Sequence, residues 1–413
     1  MSVRGIAAAF GAFLLAALPS GGGNGSRLEL KYVAIVARHG VRSPTWENSR
    51  LNAYSAEPWP AWDVPPGNLT PHGRKLIELL GSYYRDWLAG ERLLHLAGCR
   101  DAGRIYIRAD KDQRTLETGR AFSESLLSGC PIEVHAEPEG QPDPLFSGLR
   151  SPDPDRALAA VRERLGPDPQ ELVAKHREAL DVLQSIVTVK TGRYDPVAVT
   201  GKGKSIELSG PFATGSTFSE NLLLEYAEGM QGDSLGWGRL TREKLEKILE
   251  VHAVYAELMR RTSYLARARG SNLLSHVLQS LDQAATGKAA RGALGRPGDS
   301  VLLLAGHDTN LANLSGMLGL SWKLAGYQPD DTPPGGALIF ALWRDRGSGS
   351  YFLRLRYLAQ SLDQMRSTSP LSSSTPPESQ DLSLPGCPLA ACPWETARQV
   401  LQRAIDPAFA END

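Results

Sequence analysis

Residues Arg38-His39-Gly40-Val41-Arg42-Ser43-Pro44 set one imidazole between two guanidiniums, directly after the apolar run Tyr32–Ala37. Unpaired charge is costly in an apolar core, so two fixed cations beside a nucleophilic nitrogen argue for a site rather than for packing. The chemistry that suits them is attack by the imidazole on the phosphorus of a bound phosphate. The guanidiniums would hold the phosphate oxygens and stabilise their charge as it spreads in the transition state. The same cations favour the neutral ring, which keeps one nitrogen free at acidic pH. Gly40 would allow close backbone approach, and a helix starting after His39 would add its amides to the anion site.

Two more stretches could join this one. Arg108-Ala109-Asp110 is followed by Asp112-Gln113-Arg114-Thr115, and Gly306-His307-Asp308-Thr309-Asn310 follows the strand-like run Val301–Ala305. In this order and spacing the three stretches resemble the histidine acid phosphatase family, and within it the bacterial branch of 4-phytase/acid phosphatase and glucose-1-phosphatase. The likeness continues through Thr332-Pro333-Pro334-Gly335-Gly336 and a C-terminal cysteine pair, covering most of the chain after residue 28.

The resemblance implies a role for each matching residue. His39 would be the nucleophile, forming a phosphohistidine that splits one hydrolysis into two displacements. Arg38, Arg42 and Arg114 would clamp the phosphate with planar, two-pronged donors, and His307 would be a fourth donor. Asp308 would protonate the departing alkoxide and later help activate water. That requires a proton at working pH, from an acidic medium or from a pKa raised by burial and by the anionic substrate. The alternative is that Asp308 caps the next helix, although Thr309 or Asn310 could be the cap instead. Thr45 would contact substrate. Glu220, on the helical stretch Ser219–Tyr226, matches a glutamate of the branch or lies on a solvated helix face.

The substrate signal divides. Arg42–Thr45 and Asp308–Leu314 lean towards phytases, whereas Trp62–Gly67 leans towards glucose-1-phosphatase. Phytate-preferring members tend to carry a lysine directly after the threonine, and here Trp46 and Glu47 follow Thr45.

Composition leaves this reading room. The chain has 413 residues, 41% hydrophobic and 22% charged, with a net charge of −1. That balance excludes the global basicity of a nucleic-acid binder, so an anionic substrate must be met by local arginines. Gly201-Lys202-Gly203-Lys204-Ser205 hints at a phosphate loop but lacks its leading glycine, because Ala198 stands there; a basic surface loop is expected. His72, His95, His135, His176, His252 and His276 lack metal-ligand spacing to one another, so neither metal nor cofactor is expected.

Met1–Arg4, the apolar stretch Ile6–Leu18 and Pro19-Ser20-Gly21 read as a secretory signal peptide, too short for a span of about 20 residues. The expected location is therefore periplasmic or secreted, with no membrane attachment after cleavage. Cys99, Cys130, Cys387 and Cys392 fit an exported protein and allow three pairings. Sequence proximity favours Cys99–Cys130 and Cys387–Cys392, and those positions resemble two disulfides of the bacterial branch.

Elements that could position these residues follow in strand–helix order up to about residue 150. Thr70-Pro71 reads as a helix start, with Leu76, Leu80, Tyr83 and Trp87 at helical spacing. Mainly helical patterning then runs from 151 to 289, including Gln170–Val187 and Thr241–Arg267. Strands return at Val301–Ala305, Ala337–Trp343 and Tyr351–Leu358. The expected architecture is α/β: a mostly parallel central sheet flanked by helices, with an inserted all-helical cap. Residues 1–26 would be signal and tether, 27–150 and 290–413 the core, and 151–289 the cap. The expected function is an exported, metal-independent acid phosphomonoesterase acting as a monomer on small phosphate monoesters. A broad acid phosphatase with phytase activity leads, a glucose-1-phosphatase-like sugar phosphatase comes second, and a phosphoglycerate mutase-like phosphotransferase is a more distant alternative.

Overall fold

The computed structural model describes residues 28–188, 196–203, 205–387 and 391–411. The signal-peptide stretch lies outside the described residues. Ten strands form: β1 (Leu28–Arg38), β2 (Ile105–Ala109), β3 (Val134–His135), β4 (Ala198–Lys202), β5 (Ser205–Ser209), β6 (Val301–Gly306), β7 (Ala337–Asp345), β8 (Tyr351–Ala359), β9 (Glu378–Leu382) and β10 (Ala391–Pro393). Eight of them make one sheet in the order β10-β8-β7-β1-β6-β2-β3, with β9 also on the outer edge of β8. β1, β6, β2, β3 and β8 point one way and β7, β9 and β10 the other, so the sheet is mixed with most strands parallel.

β1 and β6 lie at the centre and are buried on both faces, which is why both read as unbroken apolar runs. On one face Val33, Ile35 and Leu303 pack against Ile77, Leu80 and Tyr84 of the helix Pro71–Gly90 and Phe122 of the helix Gln113–Leu126. On the other, Ala34, Val36 and Leu304 meet Leu311 and Leu314 of the helix Asp308–Leu318, and Leu273 and Val277 of Ser263–Thr286. The helices leaving β1 and β6 thus take opposite faces although the two strands are neighbours. This is a topological switch point, and a crevice opens beyond the strand ends.

The expected helix starts hold where capping chemistry is strong. Thr70 accepts from Gly73 N at 2.8 Å, with Pro71 at the first helical position. Other details differ. Gln170–Val187 breaks at His176 into two helices, and Thr241–Arg267 breaks after Met259, its second part joining the long helix Ser263–Thr286. The insert is not all-helical. It carries the hairpin β4–β5, in which Val199 and Leu208 form a buried cross-strand pair. That two-residue alternation is too short to stand out in a helical background. Gly201, Lys202 and Ser205 of the basic stretch fall on this hairpin, and Lys204 lies outside the described residues. Cys99–Cys130 and Cys387–Cys392 form the disulfides. The first closes a separation of 31 residues, worth about 3–4 kcal/mol by chain entropy.

One contact ties this scaffold to the motif. A Cβ on Gly73 would lie 2.0 Å from Val41 O, and one on Gly40 would lie 2.9 Å from Gly73 O. The helix Pro71–Gly90 therefore rests directly on the backbone of the loop after β1. Gly73→Ala should lower stability by about 2–3 kcal/mol in urea unfolding, because backbone on both sides leaves no flexible side chain to yield. An unchanged midpoint would show that the helix can shift freely.

Candidate active site

Strand pairing sets Arg38 opposite Gly306 at the ends of β1 and β6, so His39 and His307 leave the sheet side by side. Their ring centroids are 5.5 Å apart, with the planes at 73°. No helix follows His39. The next residues run as a loop pinned by an isolated bridge from Arg42 to Leu69, so the expected helix amides are not part of the site.

His39 is buried, and its Nδ1 lies 2.8 Å from the carbonyl oxygen of Gly40. A carbonyl only accepts, so Nδ1 carries the proton and Nε2 is the bare nitrogen. Burial, then Arg38, Arg114 and Arg42, holds the ring well below the usual histidine range. The imidazole is neutral in mild acid, as the sequence implied.

The guanidiniums are held from several sides. Arg38 donates to Thr332 O at 2.6 Å and to Glu220 Oε1. Arg42 donates to Ser43 O at 2.9 Å and stands 3.6 Å from the same Glu220 oxygen. Burial pushes the Arg42 guanidinium down to about 10. Arg114 donates to Asp112 Oδ2 at 2.5 Å and to Gly67 O at 3.3 Å. Glu220 comes from the helix Pro211–Ala227 and is buried, not on a solvated face. Burial alone would raise its pKa, but Arg38, His252 and Arg42 hold it below the ordinary value.

His307 Nε2 lies 2.7 Å from Asp110 Oδ2, and its Nδ1 stands 3.5 Å from an Arg114 nitrogen. Arginine only donates, so in this arrangement Nδ1 accepts and the ring presents no free N–H. Asp110, Asp112 and His307 bring possible cation ligands within 4.8 Å of one another. A cation there would have to displace Arg114 from Asp112.

Asp308 is the first residue of its helix, not the cap, which is His307; Asn310 Oδ1 accepts from His307 N at 2.8 Å. Its Oδ1 accepts from Thr309 N at 2.8 Å and its Oδ2 from Arg260 Nη1 at 2.6 Å. Burial pushes the carboxyl up, but Arg260, Arg38 and His252 outweigh it and hold the group well below the carboxylate range. Of the two routes to a proton that the sequence left open, an acidic medium or a raised pKa, the structure shows no raised value; Arg260, 48 residues from its partner, gives no local signal. His252 was missed for the same reason: its Nε2 lies 3.8 Å from Asp308 Oδ2, while Nδ1 faces Ser216.

A cleft of about 820 Å³ opens over this group between the sheet ends and the insert. Thr45 is exposed at its wall, beside Trp46, Arg50 and Tyr54. The Arg50 guanidinium sits 3.5 Å from the centre of the Trp46 ring.

Comparison with known proteins gives the class. The family model of the histidine phosphatase superfamily (branch 2) matches residues 29–155 and 216–358, more than half of the chain. The protein is a phosphatase of the histidine type. Among its relatives, phytase AppA of Escherichia coli is 37% identical over 382 residues, covering 87% of each chain. Glucose-1-phosphatase of Providencia rettgeri is 28% identical over 402 residues, covering 93% of this chain and 94% of the relative. The structure of Hafnia alvei phytase in complex with myo-inositol hexakis sulphate superposes with a TM-score of 0.85 at 32% identity, covering 94% of this chain and all of the other. The chain belongs to the histidine phosphatase superfamily, branch 2, in its histidine acid phosphatase and phytase group.

Glu220 holds the cluster together, so its neutral isostere should expose the cost of burying two guanidiniums. Glu220→Gln is expected to lose about 3 kcal/mol of stability in urea unfolding at neutral pH, since removing one partner leaves buried charge uncompensated. A loss below about 1 kcal/mol would mean that the carbonyl partners suffice.

Proposed function

We propose that this chain hydrolyses small phosphate monoesters in acid through a phosphohistidine on His39, with phytate the leading substrate. The observation that carries this is the His39 ring: Nδ1 is committed to Gly40 O, leaving Nε2 as the nucleophile beside three guanidiniums. Nε2 attacks phosphorus and the bond from phosphorus to the ester oxygen breaks. Asp308 gives the leaving oxygen its proton. Water then attacks the phosphohistidine, returning a proton to Asp308 and releasing inorganic phosphate. Arg38, Arg42 and Arg114 hold the non-bridging oxygens. His307 joins them through Nδ1 in its doubly protonated form, whose Nε2–H already meets Asp110. Thr45 contacts the rest of the ester from the cleft wall.

Phytate is favoured over a sugar monophosphate by the wall beside Thr45. The lysine expected there is missing, but Arg50 over Trp46 returns a cation to the same surface. The two phytase likenesses support the same order, and the glucose-1-phosphatase likeness keeps sugar phosphates as the second reading. The N-terminal apolar stretch and the two disulfides support export to the periplasm or beyond, as a monomer. No helix among the described residues is long and apolar enough to cross a membrane. Residues 151–289 act as the cap over the core formed by 27–150 and 290–413.

His39→Ala should reduce turnover of p-nitrophenyl phosphate by about 10⁴-fold or more, and appreciable residual rate would refute the nucleophile. Asp308→Asn should slow alkyl phosphates more than aryl ones, whose leaving groups need less protonation; equal losses would refute the acid. Full activity after exhaustive chelation is expected, and loss restored by added metal would overturn the metal-free route.

A further inference from the structure

As the residues stand, Asp308 is held as the anion. Both of its oxygens already accept hydrogen bonds, Oδ1 from Thr309 N and Oδ2 from Arg260. It also occupies the first turn of a helix, where the backbone favours the anion. The charged groups facing it come from every wall: Arg38 at the end of β1, Arg42 in the loop after it, Arg114, Glu220, His252 and Arg260. A phosphate held by Arg38, Arg42 and Arg114 offsets the cations on the sheet side alone. Arg260 comes from the insert, one residue past the helix Arg242–Met259, and it lines the open cleft beside Tyr255 and Met259. Asp308 is its one ion-pair partner among the described residues.

We propose that Arg260 is a specificity-determining positioning residue: it occupies Asp308 until a second anionic group on the substrate draws it away, freeing the carboxyl to protonate the leaving oxygen. The proposal rests on the reading of Asp308 as proton donor. A substrate with one phosphate leaves Arg260 where it is. A polyphosphorylated ring offers a further anion inside the same cleft, and a long guanidinium side chain can turn to it without moving backbone. Once Arg260 leaves, the proton destined for the leaving oxygen can settle on Oδ2. His252 Nε2 is buried 3.8 Å from that oxygen and has no hydrogen-bond partner among the described residues. The ion pair thereby couples the number of phosphates on the substrate to the availability of the proton.

The test compares the alkaline limb of kcat against pH for phytate and for glycerol 2-phosphate. In the native enzyme the phytate limb should lie about one pH unit or more above the other, the size of effect expected of a cation in direct contact with a carboxylate. Arg260→Gln should raise the glycerol 2-phosphate limb by a similar amount and close the gap, while Arg260→Lys keeps it. Thermal melting checks that each variant is folded. No gap in the native enzyme, or a gap that survives Arg260→Gln, overturns the proposal. Asp308→Asn separates the two levels. If it abolishes the limb, the donor reading stands whatever becomes of Arg260; if the limb persists, the donor reading falls and takes the proposal with it.

Discussion

Guanidinium groups cannot be buried beside an imidazole without an answering charge, and the structure supplies that charge with carboxylates. Glu220 reaches two arginines, Asp112 a third and Asp308 the fourth, Arg260. Arg38, Arg42 and Arg114 each also donate to one backbone carbonyl, of Thr332, Ser43 and Gly67. Those carbonyls fix direction as well as energy, since a forked donor held at one prong can point only one way. The carboxylates thus stand in for substrate charge while the carbonyls set the aim. This explains how a chain of net charge −1 can present a strongly cationic local surface to a polyanion.

The sheet provides the other half of that constraint. His39 and Asp308 are far apart in sequence, yet one parallel pairing, Arg38 with Gly306, brings them to the same crevice. A one-residue slip in that register would exchange Val33 and Ile35 with Ala34 and Val36 between two differently packed faces, so the core guards the geometry of the site. The contact of Gly40 and Gly73 does the same in the perpendicular direction, seating the loop on the first helix. Packing and chemistry are therefore not separable here: residues that carry no charge decide how far the nucleophile stands from its cations.

Much of this was legible in the sequence where signals are local. Val301–Ala305 and Tyr32–Ala37 are apolar runs that end in chemistry-bearing residues, and both are central strands. Thr70-Pro71 announced its helix by capping alone. Legibility failed for short or distant features. β3, with two residues, and the edge strands β9 and β10 are made by their neighbours rather than by their own propensity. The hairpin inside the insert was hidden by the helical pattern on both sides. His252 sits on an ordinary amphipathic helix and Arg260 just past its end, and nothing in their spacing tells which residue they face across the cleft. What holds Asp308 as the anion was hidden for that one reason: the sequence showed only the carboxyl, and the structure shows a cation bonded to it.

That ion pair changes how the site divides its work. In the proposed mechanism the sheet side would hold the phosphate, with groups fixed by register, backbone carbonyls and glycine contacts. The insert side contributes Glu220, His252 and Arg260, which meet the sheet-side residues through side-chain charge alone. A nucleophile profits from rigid placement, because attack geometry tolerates little error. Proton delivery has different needs, since the donor must be charged in one step and neutral in the next, and only a partner that can leave allows both. On the proposed reading, placing the fixed charges on the sheet and the exchangeable one on the insert would let a single carboxyl serve both states without disturbing the nitrogen that attacks.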